Sequence, residues 1–180
     1  MNYLTIIVLL LVAGAIVLLF AMAGEMYART GGLEGSPEST PGGTGVRPLE
    51  AARFGSRPGA WPESLAQFAT GGPYLLLVLS TSCASCEDVA AQLADQPDTG
   101  DVGVVVTSAT RVDAAEFVQR HGIARFPYHV DDGAAWVSTE FGVKISPSAA
   151  VIKDGRLVSA LLFTDVAAVQ AAVQATKEAV

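Results

Sequence analysis

The sequence predicts an α/β domain, with a central mixed sheet and flanking helices, behind one N-terminal transmembrane helix. Three observations support this prediction. Residues 3–23 form a run of 21 residues without a charge, and a helix of roughly 20 apolar residues can cross a membrane. From Pro73 onward, apolar runs of strand length alternate with helical patterns, as in proteins with parallel sheets. Asp154-Gly155 lies between two further apolar runs and predicts an antiparallel hairpin.

The first element is predicted to be an uncleaved membrane anchor within residues 1–24. A cleaved signal peptide is the alternative, because residues 21–23 read Ala-Met-Ala and resemble a cleavage site. Signal peptides, however, have an apolar region of about 7–15 residues behind a basic segment, and no Lys or Arg precedes this run. Arg29 is the basic residue that follows the run. By the positive-inside rule, it favours a cytoplasmic C-terminal domain.

A flexible linker is predicted over residues 25–60, because six Gly and two Pro lie between Gly31 and Arg47. Such a composition buries too little apolar surface to offset the entropy of ordering the chain. The folded domain is then predicted over residues 61–180.

Within the domain, continuous apolar runs indicate strands that are buried on both faces. Gly122 and Gly142 end two of the helices, and Asp165 is the N-cap of the last helix. The strands are expected at 74–80, 102–107, 128–130, 149–153 and 156–163, and the helices at 87–96, 113–121, 134–141 and from 166 onward.

The charge of the chain excludes one class of function. The formal net charge is -7 and the sequence pI is about 4.7. Proteins that bind the phosphate backbone need clustered Lys and Arg. We therefore expect no nucleic-acid partner.

The chemistry is predicted to lie at Cys83 and Cys86, the only cysteines of the chain. They follow a buried strand and open a helix, where free N–H groups and the helix dipole favour an anion. Cys83 should therefore have a lowered pKa and be the more accessible nucleophile. Cys86 lies one turn further on and would be the buried, resolving thiol. Glu87 and Asp88 in the first turn should oppose thiolate formation.

Three other interpretations of the two cysteines remain open. A zinc site needs a second pair of Cys or His ligands, and His121 and His129 are eight positions apart, which is not a zinc-finger spacing. A copper site of both cysteines and one of these histidines is the second alternative, because thiolates suit Cu(I). A purely structural disulfide is the third, although so short a loop would contribute little stability.

The order of these features resembles the thioredoxin family over about residues 73–178. The resemblance rests on a buried strand, a CxxC motif at a helix start, a β-α-β segment, and the stretch "KISPSAAVIKDGRL" near the end. It implies that Pro147 is a cis-proline packed against the CxxC motif. It also implies that Ser146 presents its backbone to an extended substrate peptide. Ser82, Ala84 and Ser85 line the motif.

Within that family, the chain is similar to membrane-anchored extracytoplasmic proteins and to the MauD-type accessory protein of methylamine dehydrogenase. The resemblance implies a thiol-disulfide oxidoreductase that acts on exported client proteins with thiols or disulfides. It also implies a separate electron donor or acceptor, for which a membrane-bound protein is one candidate. It implies no bound cofactor and no metal, since the Cys83–Cys86 pair is itself the redox group. On this ground we expect the domain outside the cytoplasmic membrane, against the indication of Arg29.

The sequence departs from thioredoxin itself in the motif. Ser82 precedes the first cysteine, Ala84 and Ser85 separate the two, and Leu77 occupies the position of the buried acid. Ser85 is expected to donate a hydrogen bond to the thiolate, but neither residue between the cysteines provides a positive charge. Because Leu77 has no carboxyl group, we expect no buried acid that relays a proton from Cys86.

Overall fold

The computed structural model describes residues 45–97 and 100–178. These residues form six strands, four α-helices and two short 3-10 helices. The strands are β1 (Val46–Pro48), β2 (Tyr74–Ser80), β3 (Val102–Ser108), β4 (Tyr128–Asp132), β5 (Ser148–Lys153) and β6 (Arg156–Phe163). The α-helices are α1 (Ala84–Ala94), α2 (Arg111–Arg120), α3 (Ala135–Phe141) and α4 (Val166–Glu178), and the 3-10 helices span Glu63–Ala69 and Ile123–Arg125.

The strands form one mixed sheet in the order β1-β6-β5-β2-β3-β4. Strands β2, β3 and β4 are parallel, whereas β5 is antiparallel to β2 and β6 is antiparallel to β5. Every residue of β3 is buried, as expected for a parallel strand that is covered on both faces. The predicted mixed sheet with flanking helices is confirmed, and the architecture is consistent with a thioredoxin-like α/β fold.

Alternate residues of β2 belong to two different cores. Leu75, Leu77 and Leu79 face one cluster, which includes buried residues of α1, α2 and α4. Leu76 and Val78 face the other cluster, which includes α3 and the first 3-10 helix. The period of two along a strand produces this division. Strand β2 is therefore covered on both faces, and α1 packs on one of them.

The turn between β5 and β6 confirms the predicted hairpin. Asp154 and Gly155 have φ values of 51° and 72°, and Lys153 pairs with Arg156 across the turn. Two successive positive φ angles are typical of the tight hairpin turn that Asp-Gly favours. Gly155 is also required by packing, because a Cβ there would lie 2.4 Å from the carbonyl oxygen of Ala69.

Two helices begin earlier than the sequence predicted. Helix α1 starts at Ala84 rather than 87, because Cys83 is the N-cap and its carbonyl accepts from the N–H groups of Cys86 and Glu87 at 3.0 and 3.3 Å. Helix α2 starts at Arg111, because the hydroxyl of Thr110 accepts a capping hydrogen bond. Capping residues therefore set both starts.

The boundary between linker and domain lies earlier than the predicted residue 61. Strand β1 falls inside the predicted linker 25–60, pairs antiparallel with Leu161–Phe163, and is followed by the buried side chains of Leu49 and Ala52. A three-residue edge strand has too few positions to show a hydrophobic period, so composition alone missed it.

The predicted anchor, 1–24, and the linker up to residue 44 lie outside the described residues. Among the residues that the structure does describe, no helix has the length and apolar character needed to span a membrane.

Candidate functional site

Cys83 and Cys86 lie where β2 ends and α1 begins. The N–H of Cys83 donates to the carbonyl of Ser80 at 3.3 Å, which turns the chain out of the strand. Cys83 has extended backbone angles and α1 follows it directly. Its side chain therefore stands at the helix N-terminus, where the unpaired N–H groups of the first turn lie.

The two thiols differ in exposure. Cys83 is half-buried, whereas Cys86 is 0% exposed and belongs to the core beside Val89. Both cysteines are free thiols in the structure. A reagent or a partner protein can therefore reach Cys83 first.

The environment of Cys83 favours its thiolate. Partial burial by itself would raise the pKa of Cys83, because it disfavours the charged form. Hydrogen bonds outweigh burial, and they come from the Cys86 thiol, the Ser85 hydroxyl and the backbone of both residues. The net result is a pKa of Cys83 below its ordinary value.

The environment of Cys86 has the opposite effect. Burial raises the pKa of Cys86 to about 12, and the hydrogen bond and charge of Cys83 add to that increase. Hydrogen bonds with Ser80 and Ser146 oppose it without reversing it. Leu77, which replaces the buried acid of thioredoxin, is completely buried in the apolar core and provides no carboxyl group. Cys86 thus stays protonated while Cys83 ionises.

The loop before β5 meets Cys83, although it lies more than sixty positions away in sequence. The peptide between Ser146 and Pro147 is cis, as the resemblance implied. The Cys83 thiol lies 3.6 Å from the carbonyl oxygen of Ser146 and donates to it when protonated. Pro147 is buried and Ser146 is half-buried. The fold therefore brings the loop with Ser146 and Pro147 next to the CxxC motif, as the resemblance implied.

Three exposed residues surround Cys83 in the motif, and two of them, Ser82 and Ser85, are polar. Ser82 is exposed, and its hydroxyl lies 3.1 Å from that of Ser80. The Ser85 hydroxyl lies 3.5 Å from the Cys83 sulfur, in the position expected of a hydrogen-bond donor to the thiolate. Ala84 is exposed and adds no polar group. Among these side chains, only Ser85 contacts the reactive sulfur.

The structure reveals an ion-pair cluster that the sequence did not predict. Glu87, in the first turn of α1, accepts from Arg120 at 3.1 Å and contacts His121 Nε2 at 3.0 Å. His121 also packs on the ring of Phe117, with 4.7 Å between ring centroids. Glu87 is separated from both partners by more than thirty positions, so no local spacing could indicate the contact. Its charge is balanced by these neighbours.

The two histidines do not complete a metal site with the cysteines. His121 is engaged with Glu87, and His129 lies on β4, where its ring meets that of Trp136 at 5.7 Å between centroids. Burial lowers the pKa of His129, and the charge of Asp131 opposes that change. Within residues 45–97 and 100–178, no group of three or more His, Cys, Asp or Glu side chains is arranged to hold a metal ion. The zinc and copper alternatives thus find no ligand set there.

Comparison with known proteins identifies similar folds. No family model matches the chain, and no curated protein matches it. Among solved structures, the chain is similar to Mycobacterium tuberculosis DsbF, with 22% identity over 52% of this chain and 68% of that chain and a TM-score of 0.41. It is also similar to a DsbF homologue from Corynebacterium diphtheriae, with 19% identity over 77% and 96% of the two chains and a TM-score of 0.49.

A third similar structure is a secreted disulfide oxidoreductase of Mycobacterium tuberculosis that is homologous to Escherichia coli DsbE. The identity is 18%, the shared part covers 62% of this chain and 82% of that chain, and the TM-score is 0.45. At these identities and TM-scores, function has to be inferred from the geometry of the cysteine pair itself.

Proposed function

We propose that the protein is a thiol-disulfide oxidoreductase in which Cys83 is the nucleophile and Cys86 the resolving thiol. One observation carries the proposal: a half-buried thiol at a helix start, with the Ser85 hydroxyl 3.5 Å from its sulfur, lies beside a completely buried thiol. This arrangement lowers the pKa of Cys83 and raises the pKa of Cys86 to about 12. The thiolate is the form that attacks disulfides. A pair with one ionised and one protected thiol can therefore act in two ordered steps.

In the first step, the Cys83 thiolate attacks one sulfur of a client disulfide. A mixed disulfide forms between Cys83 and that sulfur, and the other client sulfur leaves as a thiolate. In the second step, Cys86 loses its proton and attacks the Cys83 sulfur, which releases the second client thiolate. The client disulfide is reduced to two thiols, and the Cys83–Cys86 pair is oxidised to a disulfide. The same steps in reverse oxidise a client.

Ser146 and Pro147 are proposed to bind the client next to the reacting sulfur. The contact between the Ser146 carbonyl and the Cys83 thiol supports this role, because a peptide held along that backbone would present its own sulfur to Cys83. Ser82, Ala84 and Ser85 would form the exposed rim around the attacking atom. The redox group belongs to the chain itself, so the proposal needs no bound cofactor and no metal.

The cellular role is proposed from the sequence. Residues 3–23 would anchor the protein as a single span in the cytoplasmic membrane, with the catalytic domain outside it. Its clients would be exported proteins with thiols or disulfides. A separate electron donor or acceptor, membrane-bound or soluble, would return the Cys83–Cys86 pair to its starting redox state. Maturation of an exported redox enzyme, of which methylamine dehydrogenase is an example, is the specific role that the MauD-type resemblance suggests.

The test is a pair of serine variants of the full chain. The reduced wild-type protein should react with a model peptide disulfide and become the Cys83–Cys86 disulfide. Cys83→Ser should abolish the reaction. Cys86→Ser should stop after the first step and accumulate a mixed disulfide, which mass spectrometry detects as a covalent adduct. In cells, the trapped adduct would identify the client. Equal activity of Cys83→Ser and wild type would refute the proposal.

A further inference from the structure

A groove of about 500 Å³ opens beside the cysteine pair. One end is lined by Ser82 and Ser146, which flank the reactive sulfur, and one wall is formed by α2. Asp113 and Glu116 lie on that wall, three positions apart and therefore on the same face of the helix. A peptide that passes Cys83 next to Ser146 would continue into this groove.

The charges of the groove are unequal. Asp113 and Glu116 are exposed, and no ion pair joins either of them to a basic side chain among the described residues. Arg120 also lines the groove, but it is paired with Glu87, so these two charges balance. Lys144 is the remaining basic residue of the lining. Within the described part of the chain, the groove thus has two carboxylates and one ammonium group that form no ion pair.

We infer that this groove binds the client segment next to the target cysteine and favours segments that carry Lys or Arg. The inference rests on the proposed exchange activity, since that activity brings a client to Cys83. Complementary charge accelerates encounter and suppresses partners of like charge. The formal charge of -7 over the whole chain acts in the same direction. Asp113 and Glu116 are therefore specificity-determining residues, distinct from the two thiols that carry the chemistry.

The test compares three short peptides with the same single cysteine, each linked through a disulfide to 2-nitro-5-thiobenzoate. They differ only at two positions near the cysteine, which are Lys in one peptide, Gln in the second and Glu in the third. Cys83 attacks the peptide sulfur, the yellow thiolate leaves, and Cys86 then releases the peptide. At low salt, the reduced full-length protein should react with the Lys peptide about tenfold faster than with the Glu peptide. The ratio should fall as salt is added.

Two double variants locate the effect. Asp113→Asn with Glu116→Gln should bring the ratio of the Lys and Glu rates close to one. Glu50→Gln with Glu63→Gln changes the net charge equally, at exposed positions outside the groove lining, and should leave the ratio as in wild type. If the ratio of the Lys-peptide rate to the Glu-peptide rate falls equally in both double variants, net charge alone selects the peptide and the inference is overturned. A wild-type ratio near one would also overturn it.

A neutral small disulfide, 2,2′-dipyridyl disulfide, separates this inference from the proposed function. If wild-type protein reacts with it no faster than free cysteine does, the exchange activity itself fails. If the reaction is fast but the three peptides react equally, only the assignment of the groove fails. As a further arm, Asp113→Lys with Glu116→Lys should reverse the order of the Lys and Glu peptides. An unchanged order in that variant would contradict a role for these side chains.

Discussion

The thiol sulfur of Cys83 lies 3.6 Å from the carbonyl oxygen of Ser146, so the reactive start of α1 and the loop before β5 meet at one point. The sulfur is held between hydrogen-bond donors of its own helix and the backbone of a distant loop. Donors favour the thiolate, whereas a carbonyl favours the protonated thiol. The lowered pKa of Cys83 shows that the donors prevail.

The first prediction concerns the ionisation of the two thiols. In the reduced protein, absorbance at 240 nm should rise in two steps, one with a midpoint below 9.0 for Cys83 and one near 12 for Cys86. Cys86→Ala removes the thiol donor, and Ser85→Ala removes the hydroxyl donor. Each variant should move the lower midpoint upward. A single step near 9.0 for both thiols would contradict the asymmetry on which the mechanism depends.

The raised pKa of Cys86 also predicts how stability depends on pH. Burial keeps this thiol protonated in the folded protein up to about 12, whereas in the unfolded chain it ionises near 9.0. Its contribution to the free energy of unfolding is therefore complete below pH 9 and is lost as pH rises toward 12. Urea unfolding of the reduced protein across this range should show a steeper decline than in Cys86→Ala. Parallel declines would mean that other groups cause the pH effect.

A third prediction follows from the balanced charge of Glu87. Arg120 and His121 contact its carboxylate. Without these contacts, the negative charge of Glu87 in the first turn of α1 would oppose ionisation of Cys83. Arg120→Ala should therefore raise the pKa of Cys83 by about 0.5 unit, the size expected for one charge near a helix N-terminus. Glu87→Gln should lower it by a similar amount. Arg111→Ala is the matched control at the other end of α2, and its effect on the same midpoint should be negligible.

The central part of the fold could be predicted because its signals are local. The apolar run at 74–80 coincides with β2, and Asp154-Gly155 forms the turn into β6. The cysteine pair was recognisable for the same reason, since a strand end and a helix start are both visible in a short stretch. The contact between Cys83 and the loop of Ser146 could be predicted only from the family resemblance, because no periodicity in the sequence links positions so far apart.

The missed features all depend on contacts that the chain makes after it has folded. Strand β1 exists because β6 offers an edge to pair with, and its three residues carry no pattern of their own. The cluster around Glu87 exists because the first turn of α1 and the end of α2 come within hydrogen-bond distance of each other. Glu87 was expected to oppose the thiolate, and its basic partners, Arg120 and His121, could not be predicted from sequence spacing.

The fourth prediction tests a backbone conformation near the groove. Ala134 precedes α3 with φ 59° and ψ 27°, a left-handed conformation that costs a residue with a Cβ about 1–2 kcal/mol. Ala134→Gly removes that cost but increases the entropy of the unfolded chain. We expect a net gain of about 0.5 kcal/mol in the free energy of unfolding. Ala135→Gly, one position later and inside the helix, should instead lose about 0.5–1 kcal/mol. Equal effects would contradict the assigned conformation.

The fifth prediction concerns Asp131, the buried residue of β4 whose carboxylate caps the start of α3. Its two oxygens accept from the N–H groups of Trp136 and Val137, each at 2.9 Å, and the residue is 2% exposed. Asp131→Ala would leave two N–H groups without an acceptor, one of them on the completely buried Val137. Because charge-assisted hydrogen bonds contribute about 1.5–3 kcal/mol each and a lost cap about 0.5–2, the variant should lose about 2–3 kcal/mol of unfolding free energy in urea.

A matched control and an intermediate variant make the Asp131 prediction specific. Asp132→Ala removes the same charge from the next, exposed position and should change stability by less than about 0.5 kcal/mol. Asp131→Asn keeps one carbonyl oxygen, so it can retain one of the two acceptor contacts and should lose less than the alanine variant. If Asp131→Asn and Asp131→Ala lose the same free energy of unfolding, capping of α3 by two carboxylate oxygens is not the source of the stability.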